Sequence, residues 1–312
     1  MSLHFESVAV EQICATEDFQ ISFHPEEGEL PGVKEFGILQ PILLFEDGTQ
    51  LRLICGFRRV EASRREALAA IPAMVGRGWS PRLAILAALL ERLGHGPLNS
   101  VEQARSIDRF GRHGWSRKEL GGELLPLLGL KFNPMLLDQL AALLRLPTGI
   151  QRSVARGEIY LYTASRLAGW APHETRIANW FAALKLGVNK QRELLDLMDD
   201  VALIGKLEKR GLLEDLEGIR SGNEPHQVYA AWLRQLKSMR YPRLSAAEQE
   251  FEKNKAGLHL PGQIQLTAPP FFEESRYRVN FAFSSREELR HYAEKLLSVC
   301  DTQELDAMMK LL

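Results

Sequence analysis

The sequence predicts an α+β protein that begins with a small mixed-sheet domain, continues through a mostly α-helical middle, and ends in a short β-α element. Three observations lead to this prediction. Short apolar runs bounded by turn residues, which are typical of strands, occur in the first third of the chain and again near its end. Between these regions, apolar residues recur with the period of a helix, and helix-capping sequences stand at the starts of the periodic segments. The length of 312 residues allows two or three domains.

The first domain is predicted to contain a β-hairpin followed by a helix. The hairpin joins "QPILLF" (40–45) and "QLRLICG" (50–56) through an Asp-Gly pair, which is a strong local hairpin signal. After Gly56 the apolar period becomes that of a helix from about 58 to 69. "IPAMV" (71–75) then indicates another buried strand. Gly56 therefore stands where a strand turns into a helix.

Arg58 and Arg59 lie in the first turn of that helix. A cation is unfavourable there because the helix start already carries partial positive charge. A bound anion would resolve the conflict, since unpaired N–H groups, a glycine and two guanidiniums suit phosphate oxygens. The alternative is that both arginines pair with Glu61, Glu66 or a neighbouring loop. The local pattern alone leaves both interpretations open.

The middle of the chain is predicted as a series of capped helices. A Ser-Pro pair at Ser80 and an Asn-Pro pair at Asn133 each indicate a helix start. "SVEQ" (100–103) and "SRKE" (116–119) have the pattern of capping boxes. Helical periods continue to about 257, and the tryptophans within them are expected to pack between helices.

The end of the chain is predicted to hold one strand and one helix after a proline-rich stretch. "RYRVNFAF" alternates in polarity, which predicts a strand with one apolar face. That face contains Tyr277, Val279, Phe281 and Phe283. Ser285 and Glu288 predict a capping box for the helix that follows. A lone strand needs a partner, and both a second copy of the chain and the neighbouring residues 262–267 are candidates.

Composition argues against several classes of protein. With 45% hydrophobic and 25% charged residues, the chain is ordinary for a soluble globular protein. It has no apolar run long enough for a membrane span and no secretory signal pattern, so no membrane partner is expected. Cys14, Cys55 and Cys300 are too far apart for a disulfide framework, which favours a reduced, cytoplasmic location. We also predict no structural zinc, since no C-x-x-C sequence or clustered His and Cys occurs.

The net charge is −1 overall, but the middle of the chain is basic. Residues 1–98 contain 9 Lys and Arg against 13 Asp and Glu, whereas residues 99–170 contain 10 against 6. Residues 171–312 contain 20 against 21. A nucleic-acid surface is therefore expected only in the middle segment.

Six side chains of the middle segment are candidates for DNA contact: Arg105, Arg109, Arg112, Arg117, Lys118 and Gln139. The first three recur at helical spacing, which suits either phosphate contact or a solvated face that pairs with Glu102 and Asp108. The predicted helix after Asn133 has its glutamine as the only good base reader. Any DNA contact is therefore expected to reach mainly phosphates.

Residues 36–75, "FGILQPILLFEDGTQLRLICGFRRVEASRREALAAIPAMV", resemble the N-terminal domain of the ParB family of chromosome and plasmid partition proteins. Three sequences of that family occur here in order: "G-x-x-Q-P-I" from Gly37, "G-x-R-R" from Gly56 and "I-P-A" from Ile71. The resemblance extends from residue 5 to about 168, where the later helices are similar to the family's helix-turn-helix domain. The final β-α element resembles the family's dimerisation segment more weakly.

This resemblance implies a CTP site with a Mg²⁺ ion in the first domain. The residues that match nucleotide-binding positions are Gly56, Arg58, Arg59, Gln40, Gln20 and Glu91, of which Glu91 also matches a metal ligand. Three residues depart from the family pattern: Phe57 in the turn, Arg92 at the second metal position, and Ser22 in place of an arginine. Because an arginine cannot ligate Mg²⁺, phosphate binding is expected to survive and CTP hydrolysis to be weak or absent.

The resemblance therefore implies a nucleotide-dependent DNA-binding protein of the partition type, located in the cytoplasm and associated with the nucleoid. It also implies a homodimer and a partner ATPase. We predict a ParB/sulfiredoxin-like nucleotide-binding domain over 1–98, a helix-turn-helix-like domain over 99–170 and a helical domain over 171–257. A linker over 258–275, which can contain a short strand, leads to a dimerisation element over 276–312.

A second class of function stays open, because sulfiredoxin and a free-serine kinase share this fold. The alternative is a nucleotide sensor, or a phosphotransferase acting on a small molecule or a protein, without specific DNA binding. Sulfiredoxin needs a cysteine in the turn, where this chain has Phe57. Cys55 lies two residues earlier on the predicted strand, and a buried, inert thiol is expected there.

Overall fold

The computed structural model describes residues 2–24, 30–204 and 208–312, and the protein has the predicted α+β fold. The chain divides into two compact units, Met1–Arg192 and Glu193–Leu312. The domain limits predicted from the sequence do not coincide with this division, and they stay predictions. In the described part of the chain, no helix combines the length and the apolarity needed to cross a lipid bilayer.

The first unit contains a five-stranded mixed sheet. Its strands are β1 Ser2–Ala9, β2 Ile13–Cys14, β3 Ile42–Asp47, β4 Gln50–Cys55 and β5 Ala70–Arg77, in the spatial order β1-β5-β3-β4-β2. The antiparallel hairpin of β3 and β4 confirms the prediction from the Asp-Gly pair. β3 also runs parallel to β5, and β5 is antiparallel to β1. The predicted hairpin therefore lies in the middle of the sheet.

Ten helices are described in the first unit. They are α1 Val33–Phe36, α2 Phe57–Arg65, α3 Pro81–Leu93, α4 Ser100–Arg112, α5 Arg117–Glu119, α6 Leu125–Leu127, α7 Pro134–Leu143, α8 Thr148–Ala155, α9 Leu161–Leu167 and α10 Glu174–Ala183. A π-helical turn, Leu120–Leu124, joins α5 to α6. Trp170 and Trp180 are buried among these helices, as predicted.

Helices cover both faces of the sheet. Successive strand residues point to opposite faces, so one strand can supply two cores. Leu44 of β3 packs with Val60 of α2 in one apolar cluster, whereas Phe45 packs with Ile85 of α3 in another. All four side chains are at most 2% exposed. The positions of α2 and α3 are therefore fixed through the hairpin that lies between them.

The cap of α4 corrects the sequence prediction. The "SVEQ" pattern predicts Ser100 as the cap, but the structure has Asn99 there. Asn99 Oδ1 accepts the N–H groups of Val101 and Glu102 at 3.0 and 3.1 Å, and the Glu102 carboxylate accepts the Asn99 N–H at 3.0 Å. Asn and Ser are comparable caps, so the reciprocal bond with Glu102 decides between them. The capping box at Ser116 is present as predicted.

The second unit is helical with a small sheet. Its helices are α11 Val188–Ile204, which begins in the first unit, α12 Lys209–Ser221, α13 Pro225–Arg240, α14 Pro242–Gly257, α15 Arg286–Val299 and α16 Gln303–Met309. Strands β6 Gln265–Thr267 and β7 Arg278–Asn280 pair antiparallel. The C-terminal strand is thus shorter than predicted and pairs within the chain, which is one of the two alternatives left by the sequence. Tyr277 stacks on Phe251 with ring centroids 5.4 Å apart.

The substitution Asn99→Ala is expected to lower the free energy of unfolding by about 1 kcal/mol, because two N–H groups of the first turn of α4 lose their acceptor. Ser100→Ala is the matched control and is expected to change it by less than about 0.5 kcal/mol. Urea denaturation of both variants measures the difference. The opposite ranking would contradict the assignment of the cap to Asn99.

Candidate functional site

The turn between β4 and α2 is shaped by Gly56. Its φ of 98° lies in the left-handed region, and a Cβ at this position would stand 2.7 Å from Cγ2 of Ile42. Both facts restrict the position to glycine. The first N–H groups of α2 have no intrahelical acceptor, since the first helical bond runs from Val60 N–H to the Gly56 carbonyl at 3.0 Å. The turn therefore carries backbone donors at the positive end of a helix.

Arg59 braces this turn from within. Its Nη1 donates to the carbonyl oxygens of Gln40 and Pro41 at 3.1 and 2.5 Å. Its Nη2 lies 3.7 Å from Cys55 Sγ and 4.0 Å from Glu91 Oε1. One guanidinium thus joins the entry to β3, the end of β4 and α3. The Arg59 side chain is 21% exposed, so part of it stays accessible.

Arg58 is the other arginine of the turn, and it is half-buried. It lies within electrostatic reach of His24. Burial of the imidazole and then the positive charge of Arg58 lower the pKa of His24, with a smaller effect of the same sign from Arg92 and an opposing one from Glu102. Arg58 and Arg92 therefore both act on His24 electrostatically.

Glu91 on α3 lies beside the turn, between two basic groups. His95 Nε2 is 3.1 Å from Glu91 Oε1, the same oxygen that Arg59 approaches. Burial of the Cys55 thiol, together with its hydrogen bond to Glu91 and the charge of that carboxylate, raises the pKa of Cys55 to about 12. A thiol of this kind is protonated at neutral pH and is a poor nucleophile.

Arg92, the next residue on α3, forms a buried ion pair with Glu102. Nε and Nη2 of Arg92 each lie 2.7 Å from one oxygen of the Glu102 carboxylate. The same carboxylate accepts the N–H groups of Phe23 and Asn99, both at 3.0 Å. Glu102 is 1% exposed. Four donors therefore satisfy a carboxylate that would be costly to bury alone.

The structure corrects the prediction that Arg105 and Arg109 contact DNA. Their guanidiniums bind backbone carbonyl groups of the same unit. Arg105 Nη1 donates to the Ser22 carbonyl at 2.9 Å, and its guanidinium lies 4.8 Å from the ring centroid of Phe23. Arg109 is 8% exposed and donates from Nε to the Glu17 carbonyl at 2.8 Å. Neither phosphate contact nor a solvated face fits these positions. The irregular segment 15–24, which precedes β3, has carbonyl groups that can accept further hydrogen bonds, and the two arginines donate to two of them.

The other four candidates for DNA contact are more accessible. Arg112 is exposed and pairs with Asp108 at 2.9 Å. Arg117 and Lys118 are exposed at the start of α5 and line a groove beside α7. Gln139 is half-buried on α7. The outward-facing basic groups are thus at the end of α4 and the start of α5.

Comparison with known proteins finds similarity to the ParB family. Residues 29–93 match the family described as ParB N-terminal domain. The chain is 32% identical over 169 residues to the chromosome-partitioning protein ParB of Myxococcus xanthus, which covers 52% of this chain and 54% of that protein. The N-terminal part of the chain is thus similar to the ParB family. The chain is also 30% identical over 127 residues to the chromosome-partitioning protein Spo0J of Thermus thermophilus, with coverage of 41% and 45%. The chain therefore spans about half the length of the curated relatives it matches.

Two solved structures of ParB from Caulobacter crescentus are similar over part of the chain. A C-terminally truncated form complexed with CTP-gamma-S has 20% sequence identity and a TM-score of 0.25, covering 57% of this chain and 98% of that chain. A C-terminally truncated form complexed to the centromeric parS site has 21% identity and a TM-score of 0.26, covering 61% and 97%. At these scores the structures do not superpose as wholes, and no functional conclusion rests on them.

Of the six residues that the sequence resemblance assigns to nucleotide binding, five lie around one turn: Gly56, Arg58, Arg59, Gln40 and Glu91. Gln20, the sixth, donates its backbone N–H to the Glu17 carbonyl at 3.0 Å. Within the described residues, its side chain makes no hydrogen bond to the turn. Sequence reasoning missed Glu102 and His24. The capping pattern that contains Glu102 identifies a helix start but not a long-range ion pair.

The side chains around Glu91 do not fit the Mg²⁺ site that the ParB resemblance implies. Mg²⁺ prefers oxygen ligands in near-octahedral geometry. Glu91 is flanked by Arg59 and His95 instead of a second carboxylate, and Arg92 follows it. Over residues 2–24, 30–204 and 208–312, no three His, Cys, Asp or Glu side chains are grouped to hold a metal ion. A divalent cation at Glu91 would stand beside the Arg59 guanidinium and would lack a second carboxylate ligand.

Cys55 is expected to react with iodoacetamide at pH 8 much more slowly than Cys300. Its pKa of about 12 keeps the thiol protonated, whereas Cys300 is exposed. Peptide mass spectrometry after a short pulse of reagent measures both rates in one sample. If Cys55 reacted faster, its burial would be wrong and a nucleophilic role would have to be reconsidered.

Proposed function

We propose that this chain binds CTP at the Gly56 turn and associates with DNA in a nucleotide-dependent way, as a partition protein of the ParB type. The observation that supports this most is the turn itself. A left-handed glycine is followed by two arginines at a helix start, inside the region that matches the ParB N-terminal domain. The relatives named above are chromosome-partitioning proteins.

In this proposal the triphosphate lies against the start of α2. The backbone N–H groups and the positive helix end bind one phosphate, and the Arg58 guanidinium adds charged donors. Arg59 keeps the turn in shape through the Gln40 carbonyl and offers its accessible side to the ligand. Glu91 holds Arg59 in place. The side chains of Gln20 and Gln40 are proposed to approach the nucleoside.

The DNA contacts are proposed to come from exposed groups, namely Arg112, Arg117 and Lys118. Arg105 and Arg109 are left out because their guanidiniums bind carbonyl groups of the same chain. Gln139 is the one good base reader on α7, and Met135 in the first turn of that helix is 65% exposed. An apolar helix surface cannot read base edges through hydrogen bonds. Binding is therefore expected to depend on phosphates and to vary little with sequence.

The assembly is proposed to be a homodimer that works with a partner ATPase and is associated with nucleoid DNA. The sheet of β6 and β7 has two strands. Val279 of β7 is 43% exposed, and Phe283, three residues beyond that strand, is 54% exposed. Exposed apolar side chains on and beside a two-stranded sheet suit contact with a second copy. The domain limits predicted from the sequence belong to this proposal. CTP hydrolysis is proposed to be slow or absent, because the metal position carries Arg92.

A second candidate is a nucleotide sensor or phosphotransferase of the same fold that does not bind DNA specifically. One observation favours it. The helix in the position of a recognition helix, α7, presents Met135, and its one base-reading side chain, Gln139, is half-buried. The DNA experiment below separates this candidate from the first.

Arg58→Ala is expected to weaken CTP binding by about 10–150-fold, since one charge-assisted contact contributes about 1.5–3 kcal/mol. Arg65→Ala is the matched control, because it removes the same side chain from the exposed last turn of the same helix. Titration calorimetry gives both affinities, and circular dichroism checks the fold. Equal affinity in Arg58→Ala and the parent would remove the turn as the nucleotide site.

DNA affinity is expected to fall by about 0.9 log units per log unit of salt for each phosphate contacted, and to be similar for unrelated duplexes. Replacing Arg117 and Lys118 by Glu together is expected to weaken binding and to reduce this slope by about 1.8. The matched control replaces Lys209 and Arg210 by Glu, because these two exposed basic residues are also neighbours at the start of a helix, α12. Fluorescence anisotropy with CTP present measures the slopes.

Two outcomes of that titration would change the proposal. Undetectable duplex binding at low salt, with or without CTP, would remove DNA as a partner and leave the sensor or phosphotransferase. A strongly preferred duplex sequence would show that α7 reads bases, and Gln139→Ala would then be the next variant.

A further inference from the structure

We propose that the nucleotide site of this protein works without a bound Mg²⁺ ion and prefers the metal-free nucleoside triphosphate to its magnesium complex. This inference rests on the proposed function, since it concerns the same turn. It departs from what the family resemblance implies. Two features of α3 carry it: the surroundings of Glu91 and the ion pair of Arg92.

The first feature is that basic groups already occupy the Glu91 carboxylate. Its Oε1 is 3.1 Å from His95 Nε2 and 4.0 Å from Arg59 Nη2. A magnesium ion on this oxygen would displace both neighbours and would then stand close to a guanidinium. Like charges at such a separation repel strongly in a partly buried site. Glu91 therefore acts as the partner of Arg59, which leaves the metal without its one carboxylate ligand.

The second feature is that Arg92 cannot move aside. Two bonds of 2.7 Å hold its guanidinium to Glu102, and a third of 3.2 Å runs from Nη1 to the Gly96 carbonyl. Leaving this position would strand a carboxylate that is 1% exposed. A fixed positive charge thus stands directly after Glu91, where a metal site needs an oxygen ligand.

These two features indicate which form of the nucleotide the site prefers, the free triphosphate or its magnesium complex. A nucleoside triphosphate that has lost its Mg²⁺ is more negative than the complex by the charge of the ion. Arg58 and Arg59 at the turn provide fixed positive charge that does not depend on a metal. Such a site gains more from the free triphosphate than from the complex. Raising the magnesium concentration should therefore compete with binding.

The test is a calorimetric titration of the full chain with CTP in EDTA and in excess MgCl₂, with NaCl added to the EDTA buffer to match ionic strength. We expect binding in EDTA to be tighter than in MgCl₂ by about fivefold or more. Glu91→Gln serves as the second measurement. The substitution can change both CTP affinities of the variant. The ratio of its affinity in EDTA to that in MgCl₂ is nevertheless expected to equal the ratio of the parent, because Glu91 holds no metal.

The outcomes separate this inference from the proposed function. Binding that requires Mg²⁺, with a requirement that Glu91→Gln abolishes, would overturn the inference and leave the CTP site standing. Equal affinities in the two buffers would overturn the preference for the free nucleotide. If CTP binds in neither buffer, the proposed function fails, and the inference fails with it.

Discussion

The arrangement of the site depends on the buried ion pair between Arg92 and Glu102. Glu102 receives four donors, two from Arg92 and one each from the Phe23 and Asn99 backbone. It thereby joins the end of α3, the cap of α4 and the irregular segment before β3. Because Glu91 precedes Arg92 on α3, this pair also fixes where a carboxylate meets Arg59. Removing one partner of a buried pair typically costs about 3–5 kcal/mol, so these segments are held together strongly.

Local signals in the sequence predicted the elements that frame the site. An Asp-Gly pair predicted the hairpin of β3 and β4, and the change of period after Gly56 predicted the start of α2, because both depend on a few neighbouring residues. The long-range contacts could not be predicted from local sequence patterns. The spacing of Arg105 and Arg109 shows that they share a helix face, but not that an irregular segment more than eighty residues away supplies their acceptors.

The chain resembles the family pattern at the positions proposed to bind phosphate and departs from it at the positions of a metal ligand and of base contacts. The proposed phosphate-binding features are present, since Gly56 has the left-handed backbone and two arginines follow it. Where the family resemblance implies a second metal ligand the chain has Arg92, which pairs with Glu102, and α7 exposes Met135 where a helix that reads bases would need polar side chains. Anion binding needs only donors and charge, whereas hydrolysis and base reading need particular ligands at particular positions. Under the proposed function, the chain therefore binds the nucleotide without the second metal ligand and without specific base contacts.

A crystal structure of the chain grown with both CTP and MgCl₂ tests this account most directly. The account predicts the triphosphate at the start of α2, in contact with the Gly56 turn and Arg58, with the Arg92–Glu102 pair intact and no metal ion on Glu91. A magnesium ion bridging Glu91 and the phosphates would contradict the metal-free site. A triphosphate bound elsewhere would contradict the central claim that this turn is the nucleotide site.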